Sequence, residues 1–212
     1  MVAKAPVPGL AKTRLGDQVG MPAAAQLAAA ALLDTLDQCE IAFAGGLHVA
    51  MTGDLSRAAR GEEIEAALRG WEVHHQRGDG FADRLTHAHA DLGPGPVVQI
   101  GMDTPQVTAD LLLEVAAGLR DHDAVLGLAE DGGWWVLALR DPADAVVLRD
   151  VPPSTPDTGA LTLAALRARG LDVATVATLR DVDEVRDAAA VATLAPEGRF
   201  AAAWSAVQEV AR

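Results

Sequence analysis

The chain has 212 residues, a length that one domain with a sizeable core can use; half of them are hydrophobic but only 3% are aromatic, so Ala, Val and Leu must build the core. A formal net charge of −13 excludes broad nucleic-acid binding, which needs a basic surface that releases counterions. The single cysteine, Cys39, excludes internal disulfides and CxxC metal sites. With no leader-like start and no apolar run long enough to span a bilayer, the expectation is a soluble, cytoplasmic protein without a membrane partner.

In chain order, Met1-Val2-Ala3 reads as the tail of a strand, so the first strand is expected to be short. A Pro/Gly-rich loop follows, then a helix over 22–39 with proline in its first turn. Residues 47–52 read as a strand, 61–68 as a short helix and 71–76 as a second strand. Helical spacing covers 81–92 and stops at Gly93-Pro94-Gly95, after which the β-branched run 97–101 reads as a buried strand. A helix over about 108–119, with Thr108 as its cap, precedes strands at 124–128 and 134–139. A helix over 158–169, capped by Gly170, a strand at 173–177 and a helical tail broken at Pro196-Glu197-Gly198 complete the chain. No repeat or linker divides it, so one domain over 1–212 is expected. Strands alternating with helices imply an α/β fold with a mostly parallel, Rossmann-like sheet covered on both faces, and ligands in such sheets bind beyond the carboxyl ends of the strands. The absence of GxGxxG after the first strand argues against a dinucleotide dehydrogenase.

Several constellations can carry chemistry. In AKAPVPGLAKTRL, Lys4, Lys12 and Arg14 surround a loop stiffened by Pro6 and Pro8 and opened by Gly9. Such a cation cluster suits a phosphate, although a solvated basic turn would use the same letters. In IGMDTP, Asp103 stands just beyond the best-defined strand, where a carboxylate can ligate Mg²⁺ or Mn²⁺ or simply form a turn. In AEDGGWWVLAL, Gly132 and Gly133 permit close backbone approach and Asp131 can accept from a hydroxylated substrate, while a plain hairpin turn explains the same residues. Trp134 and Trp135 alternate across the sheet, so one can be core while the other borders a pocket. In LRDVDEV, Asp181 and Asp183 share a face if extended, and can either complete a metal site or cap a helix. Gln76 follows a strand where an amide can read a base edge. His74 and His75 read as ordinary strand residues, because no third histidine has zinc-like spacing.

Together and in this order, AKAPVPGLAKTRL, IGMDTPQVT, LAEDGGWWVLALR, VPPSTPDT and TLRDVDEV resemble the DUF2064 family, described as glycosyltransferase-like or selenodomain-associated transferase 1. The resemblance implies the nucleotide-diphospho-sugar transferase superfamily, a three-layer α/β/α fold of glycosyltransferase A type, and distant similarity to 2-phospholactate guanylyltransferases. Carried over by position, it makes Lys12 and Arg14 the phosphate-loop cations, Asp103 the metal-binding aspartate and Asp183 a second metal ligand. Gln76 falls on the nucleotide side, and Asp131, Gly132 and Gly133 fall in the acceptor loop. Trp134 and Trp135 replace the tyrosines usual after DGG, and Pro153 replaces a common aromatic. The implied function is a metal-dependent transferase, with nucleotidyl transfer from a nucleoside triphosphate to a small phosphorylated acceptor first. Glycosyl transfer from a nucleotide sugar and nucleotide binding without turnover stand as alternatives.

Overall fold

The computed structural model describes residues 1–210. In order its elements are β1 (Val2–Lys4), α1 (Thr13–Val19), α2 (Met21–Ala42), β2 (His48–Thr52), α3 (Gly61–Ala67), β3 (Glu72–His75), α4 (Phe81–Ala90), β4 (Val97–Ile100), α5 (Ala109–Gly118), β5 (Ala124–Ala129), β6 (Trp134–Leu139), α6 (Thr158–Ala168), β7 (Val173–Leu179), α7 (Val185–Leu194) and α8 (Arg199–Val210). The α/β class expected from the alternation holds. These elements gather into two compact units. One comprises Ala3–His74, Met102–Ala109 and Asp181–Arg212; the other comprises Met1–Val2, His75–Gly101 and Asp110–Arg180. None of the described helices is long and apolar enough to cross a membrane.

The first of these, the loop unit, is built on a parallel sheet of order β1-β2-β3. The short first strand is real: Val2 and Ala3 are buried, and Ala5, the residue just past the strand, donates its N–H to Thr52 O at 2.8 Å. Helix α2 buries residues all around its circumference, from Ala24 to Leu36, as a helix rich in alanine and leucine on every face must. Small alanines let α1, α7 and α8 pack closely, with Leu15, Leu27, Val191 and Phe200 filling the space between them. One carboxylate is sealed in this packing. Asp34 of α2 accepts from the backbone N–H of Arg199 (3.0 Å) and Phe200 (2.8 Å), so it satisfies the first donors of α8, and it also pairs with the Arg199 guanidinium at 3.3 Å.

The second, or hairpin, unit has a mixed sheet of order β4-β6-β5-β7, in which β6 runs antiparallel to both β4 and β5 while β5 and β7 are parallel. The single reversed strand follows from the Asp131-Gly132-Gly133 turn, which returns the chain beside β5 as a hairpin. Leu126, Leu137, Leu139, Leu148 and Leu166 form its core. Trp135 is buried, donates Nε1–H to Ala177 O at 3.0 Å, and lies so close over Gly127 that a Cβ there would overlap the indole. Trp134 is half-buried and packs at the margin of the core. His89 of α4 is fully buried with neither ring nitrogen hydrogen-bonded, and that burial pushes its pKa down to about 3.

The sequence reading did not foresee α1 or the 3₁₀ segments Leu55–Arg57 and Pro142–Asp150. These pieces are short and carry glycine, proline or charge where a helix period would need apolar residues. The other elements lie within a few residues of their expected positions.

Candidate functional site

The site is assembled in the loop unit from three stretches of chain. Beyond β1 the chain turns back at Val7, whose carbonyl accepts from Leu10 (2.9 Å) and Ala11 (3.2 Å), and Gly9 supplies the positive φ of 78° that this turn needs. Lys12 then takes a left-handed conformation, φ 48° and ψ 49°, at the start of α1. For a residue with a Cβ this costs about 1–2 kcal/mol, so the surroundings must hold it there.

They do so through charge. Lys12 Nζ lies 3.1 Å from Asp103 Oδ2 and 2.8 Å from Asp183 Oδ1, with its side chain only 12% exposed. Arg14, largely exposed, reaches Asp183 Oδ2 at 3.2 Å. The loops that carry the two aspartates are tied together by a backbone bond from Val182 N–H to Asp103 O at 3.0 Å. Burial alone would lower the Lys12 pKa, but the Asp103 and Asp183 charges and hydrogen bonds outweigh it and hold the ammonium above its usual range. Burial likewise works to raise the Asp183 carboxyl, yet Lys12 and then Arg14 hold it below the usual carboxylate range. The helix-cap alternative for Asp183 does not apply: Glu184 is the N-cap of α7 and forms a capping box with Asp187. Asp183 keeps its carboxylate for the cations.

Lys4, Leu10, Lys12, Arg14, Met102, Asp103 and Asp183 line a cavity of about 260 Å³. Its walls hold three cations against two carboxylates. Met102, absent from the residues singled out in the sequence, accepts the Lys4 N–H on its sulfur at 3.2 Å and so fixes the base of the cavity. Its place inside GMDTP was the only available signal.

The remaining candidates lie in the hairpin unit. Gln76 is half-buried just after β3. Asp131 is exposed in the β5–β6 turn, where Oδ1 accepts from Gly133 N–H at 2.7 Å. The close approach that the two glycines permit is to the chain itself. Gly132, at φ 91°, lies against the Pro156 carbonyl, its own carbonyl accepts from Gly159 N–H at 2.7 Å, and a Cβ on Gly159 would overlap Gly133 O. The glycines therefore seat the start of α6 on the hairpin.

The loops after β1, β4 and β7 thus bring Lys12, Asp103 and Asp183 together, and the fold that carries them is the α/β fold shared with nucleotidyltransferases and nucleotide-sugar transferases. Solved structures agree. A protein from Desulfovibrio desulfuricans G20, provisionally designated a nucleotide-diphospho-sugar transferase, matches with a TM-score of 0.83 and 27% identity over 98% of this chain and 93% of that one. The 4-diphosphocytidyl-2C-methyl-D-erythritol synthase of Anaerococcus prevotii DSM 20548 (TM-score 0.57, 12% identity, 98% and 97% covered) shares the fold. So does a CMP:2-keto-3-deoxy-manno-octonic acid synthetase complexed with CTP (0.55, 13%, 79% and 88% covered). The chain belongs to the DUF2064 family, described as an uncharacterized protein conserved in bacteria, whose profile matches residues 35–155. That span contains Gln76, Asp103 and Asp131 to Gly133, while Lys4 to Arg14 and Asp183 lie outside it. A comparison with curated proteins gives no match.

Proposed function

We propose that this chain is a transferase acting on a nucleotide, and that its reaction is Mg²⁺- or Mn²⁺-assisted nucleotidyl transfer from a nucleoside triphosphate to a small phosphorylated acceptor. The observation that carries the proposal is Lys12, held in a left-handed conformation between Asp103 and Asp183 at a cavity that also receives Lys4 and Arg14. The cavity is smaller than the roughly 300–1,000 Å³ of sites that enclose a drug-sized ligand, so it suits the phosphates rather than the whole nucleotide. Gln76, beyond β3, is the candidate for the base.

The residues fit a hard divalent cation. Two carboxylate oxygens already converge on one positive centre, the Lys12 ammonium, and both donors are of the type that Mg²⁺ and Mn²⁺ prefer. When bound there, the metal would offset charge on the phosphate oxygens. Lys12, Arg14 and Lys4 would stabilise the pyrophosphate as it leaves, and the turn at Gly9 lets the loop follow the phosphates. A phosphorylated acceptor brings its own nucleophilic oxygen and needs no base; with a hydroxyl acceptor, the Asp131 oxygen not engaged by Gly133 is the first candidate.

Glycosyl transfer is the second reading, favoured by the designation of the Desulfovibrio relative. Incubating the protein with Mg²⁺, each nucleoside triphosphate and phosphorylated acceptors should release pyrophosphate. Release of nucleoside diphosphate from nucleotide sugars would favour the second reading instead. Nucleotide-dependent thermal stabilisation without any product would mark binding without turnover. The shared premise fails if no nucleotide or nucleotide sugar shifts the melting temperature with either metal.

A further inference from the structure

A cluster of side chains able to ligate a metal lies in the loop unit, and none of its members lines the cavity at Lys12. His48 on β2 and Glu72 and His74 on the adjoining strand β3 bring one donor atom each to within 4.8 Å of one another. The arrangement follows from strand geometry. Glu72 N–H donates to Leu47 O at 2.9 Å, which sets His48 beside Glu72, and residues 72 and 74 project to the same face because side chains alternate along a strand. Spacing along the sequence concealed the set, since its members come from two strands more than twenty residues apart.

The distances are those of a coordination shell. A tetrahedral zinc ion bound at about 2.0–2.1 Å places its ligand atoms about 3.3 Å apart. His48 Nδ1 and His74 Nε2 are separated by 3.2 Å, and Glu72 Oε2 lies 3.6 Å from the first and 3.9 Å from the second. The Glu72 side chain is 70% exposed, so it is free to close the few tenths of an ångström that remain. The two imidazoles stack with centroids 5.5 Å apart and planes within 20°. Their facing nitrogens can share one proton, or both can present lone pairs to one metal ion.

We propose that His48, Glu72 and His74 form a binding site for a divalent transition metal of the zinc class, with a fourth position open to solvent, that clamps β3 to β2. Two imidazoles and one carboxylate select borderline-soft ions over Mg²⁺, so this site and an all-carboxylate Mg²⁺ site would take different ions.

Zinc titration of the metal-stripped 212-residue chain by calorimetry, in the presence of excess Mg²⁺, tests the assignment. One Zn²⁺ per chain should bind, and His48→Ala and His74→Ala should each weaken it at least 10-fold. Glu72→Gln, which leaves both strands intact, should weaken it by a smaller factor. With Co²⁺ as the probe, the wild type should show the strong visible absorption of a tetrahedral site and the histidine variants should lose it. Circular dichroism confirms that the variants fold, and if either does not, Glu72→Gln carries the test. Absence of Zn²⁺ binding by the wild type, or unchanged affinity in the folded variants, overturns the proposal.

Discussion

Replacing Lys12 separates the two demands placed on it, charge and backbone shape. Its ammonium lies 3.1 Å from Asp103 and 2.8 Å from Asp183, and alanine would leave those carboxylates facing each other with only Arg14 beside Asp183. Removing one partner of a fully buried pair costs about 3–5 kcal/mol. Here the aspartate side chains are 40% and 29% exposed, so water offsets much of the loss and about 1–2 kcal/mol is expected. Alanine also inherits the left-handed φ of 48°, whereas Lys12→Gly relieves it and should be about 1 kcal/mol more stable than Lys12→Ala. At roughly 2–4 °C per kcal/mol for a chain of this size, Lys12→Ala should melt several degrees below wild type, with Lys12→Gly between them. Millimolar Mg²⁺ should restore more stability to both variants than it adds to the wild type, because a divalent cation no longer competes with the ammonium. Nucleotide-dependent stabilisation should fall in both. Thermal denaturation with and without Mg²⁺ reads all of this. An unchanged melting temperature for Lys12→Ala, or an Mg²⁺ response equal to wild type, would refute the view that Lys12 holds the two carboxylates together.

The acid limb of stability should have two parts. His89 is buried neutral with its pKa pushed down to about 3, so the unfolded chain binds its proton first: stability is full above the ordinary histidine value and falls by roughly 1 kcal/mol per pH unit between about 6.5 and 3. His89→Leu should flatten that interval in urea titrations. Asp183, whose carboxyl is held low by Lys12 and Arg14, contributes above the ordinary aspartate value of 3.8 and loses that contribution only as pH falls further; Asp183→Asn should remove this second part and leave the first. At the alkaline end the raised Lys12 contributes fully below 10.5 and loses its share above it. Gly132→Ala should lower stability by more than 2 kcal/mol in urea denaturation, since it sets a side chain at φ 91° against the Pro156 carbonyl. A cost below 1 kcal/mol would show that the start of α6 does not depend on this turn.

Most helices and strands were legible because their signals are local. The alanine-rich stretch of α2 leads from a proline at its start, β4 and β5 are compact apolar runs, and the alternation of the two element types gave the α/β class. What escaped was short or depended on distant partners. Helix α1 spans Thr13–Val19 and is held by packing on α2 and by the pull of two aspartates on Lys12, neither of which a window of sequence contains. The direction of β6 was written in the DGG turn, but the same letters also suited a ligand-facing loop, and only the contact of Gly132 with Pro156 and of Gly133 with Gly159 decides how the glycines are used. The association of Lys12, Arg14, Asp103 and Asp183 was implied by the family resemblance, whereas Met102 and the His48–Glu72–His74 cluster become visible only in the folded chain.

The charge pattern of the site bears on why two carboxylates stand in a cavity proposed for phosphate. Lys4, Lys12 and Arg14 exceed Asp103 and Asp183 by a single positive charge, within a chain of net −13 whose long-range field repels anions. One excess charge cannot balance a triphosphate, and a site evolved to hold phosphate on lysine and arginine alone would gain by losing both aspartates. Keeping them is consistent with a further cation arriving with the nucleotide, adding two charges where the carboxylates converge. On that reading the Lys12 contact belongs to the resting site: it relieves repulsion between Asp103 and Asp183 and excludes a need for bound metal, at the cost of a left-handed backbone. A divalent cation in its place between the aspartates would make the same ammonium available to phosphate. Strain at Lys12 and the pairing of Asp103 with Asp183 are then two parts of one arrangement.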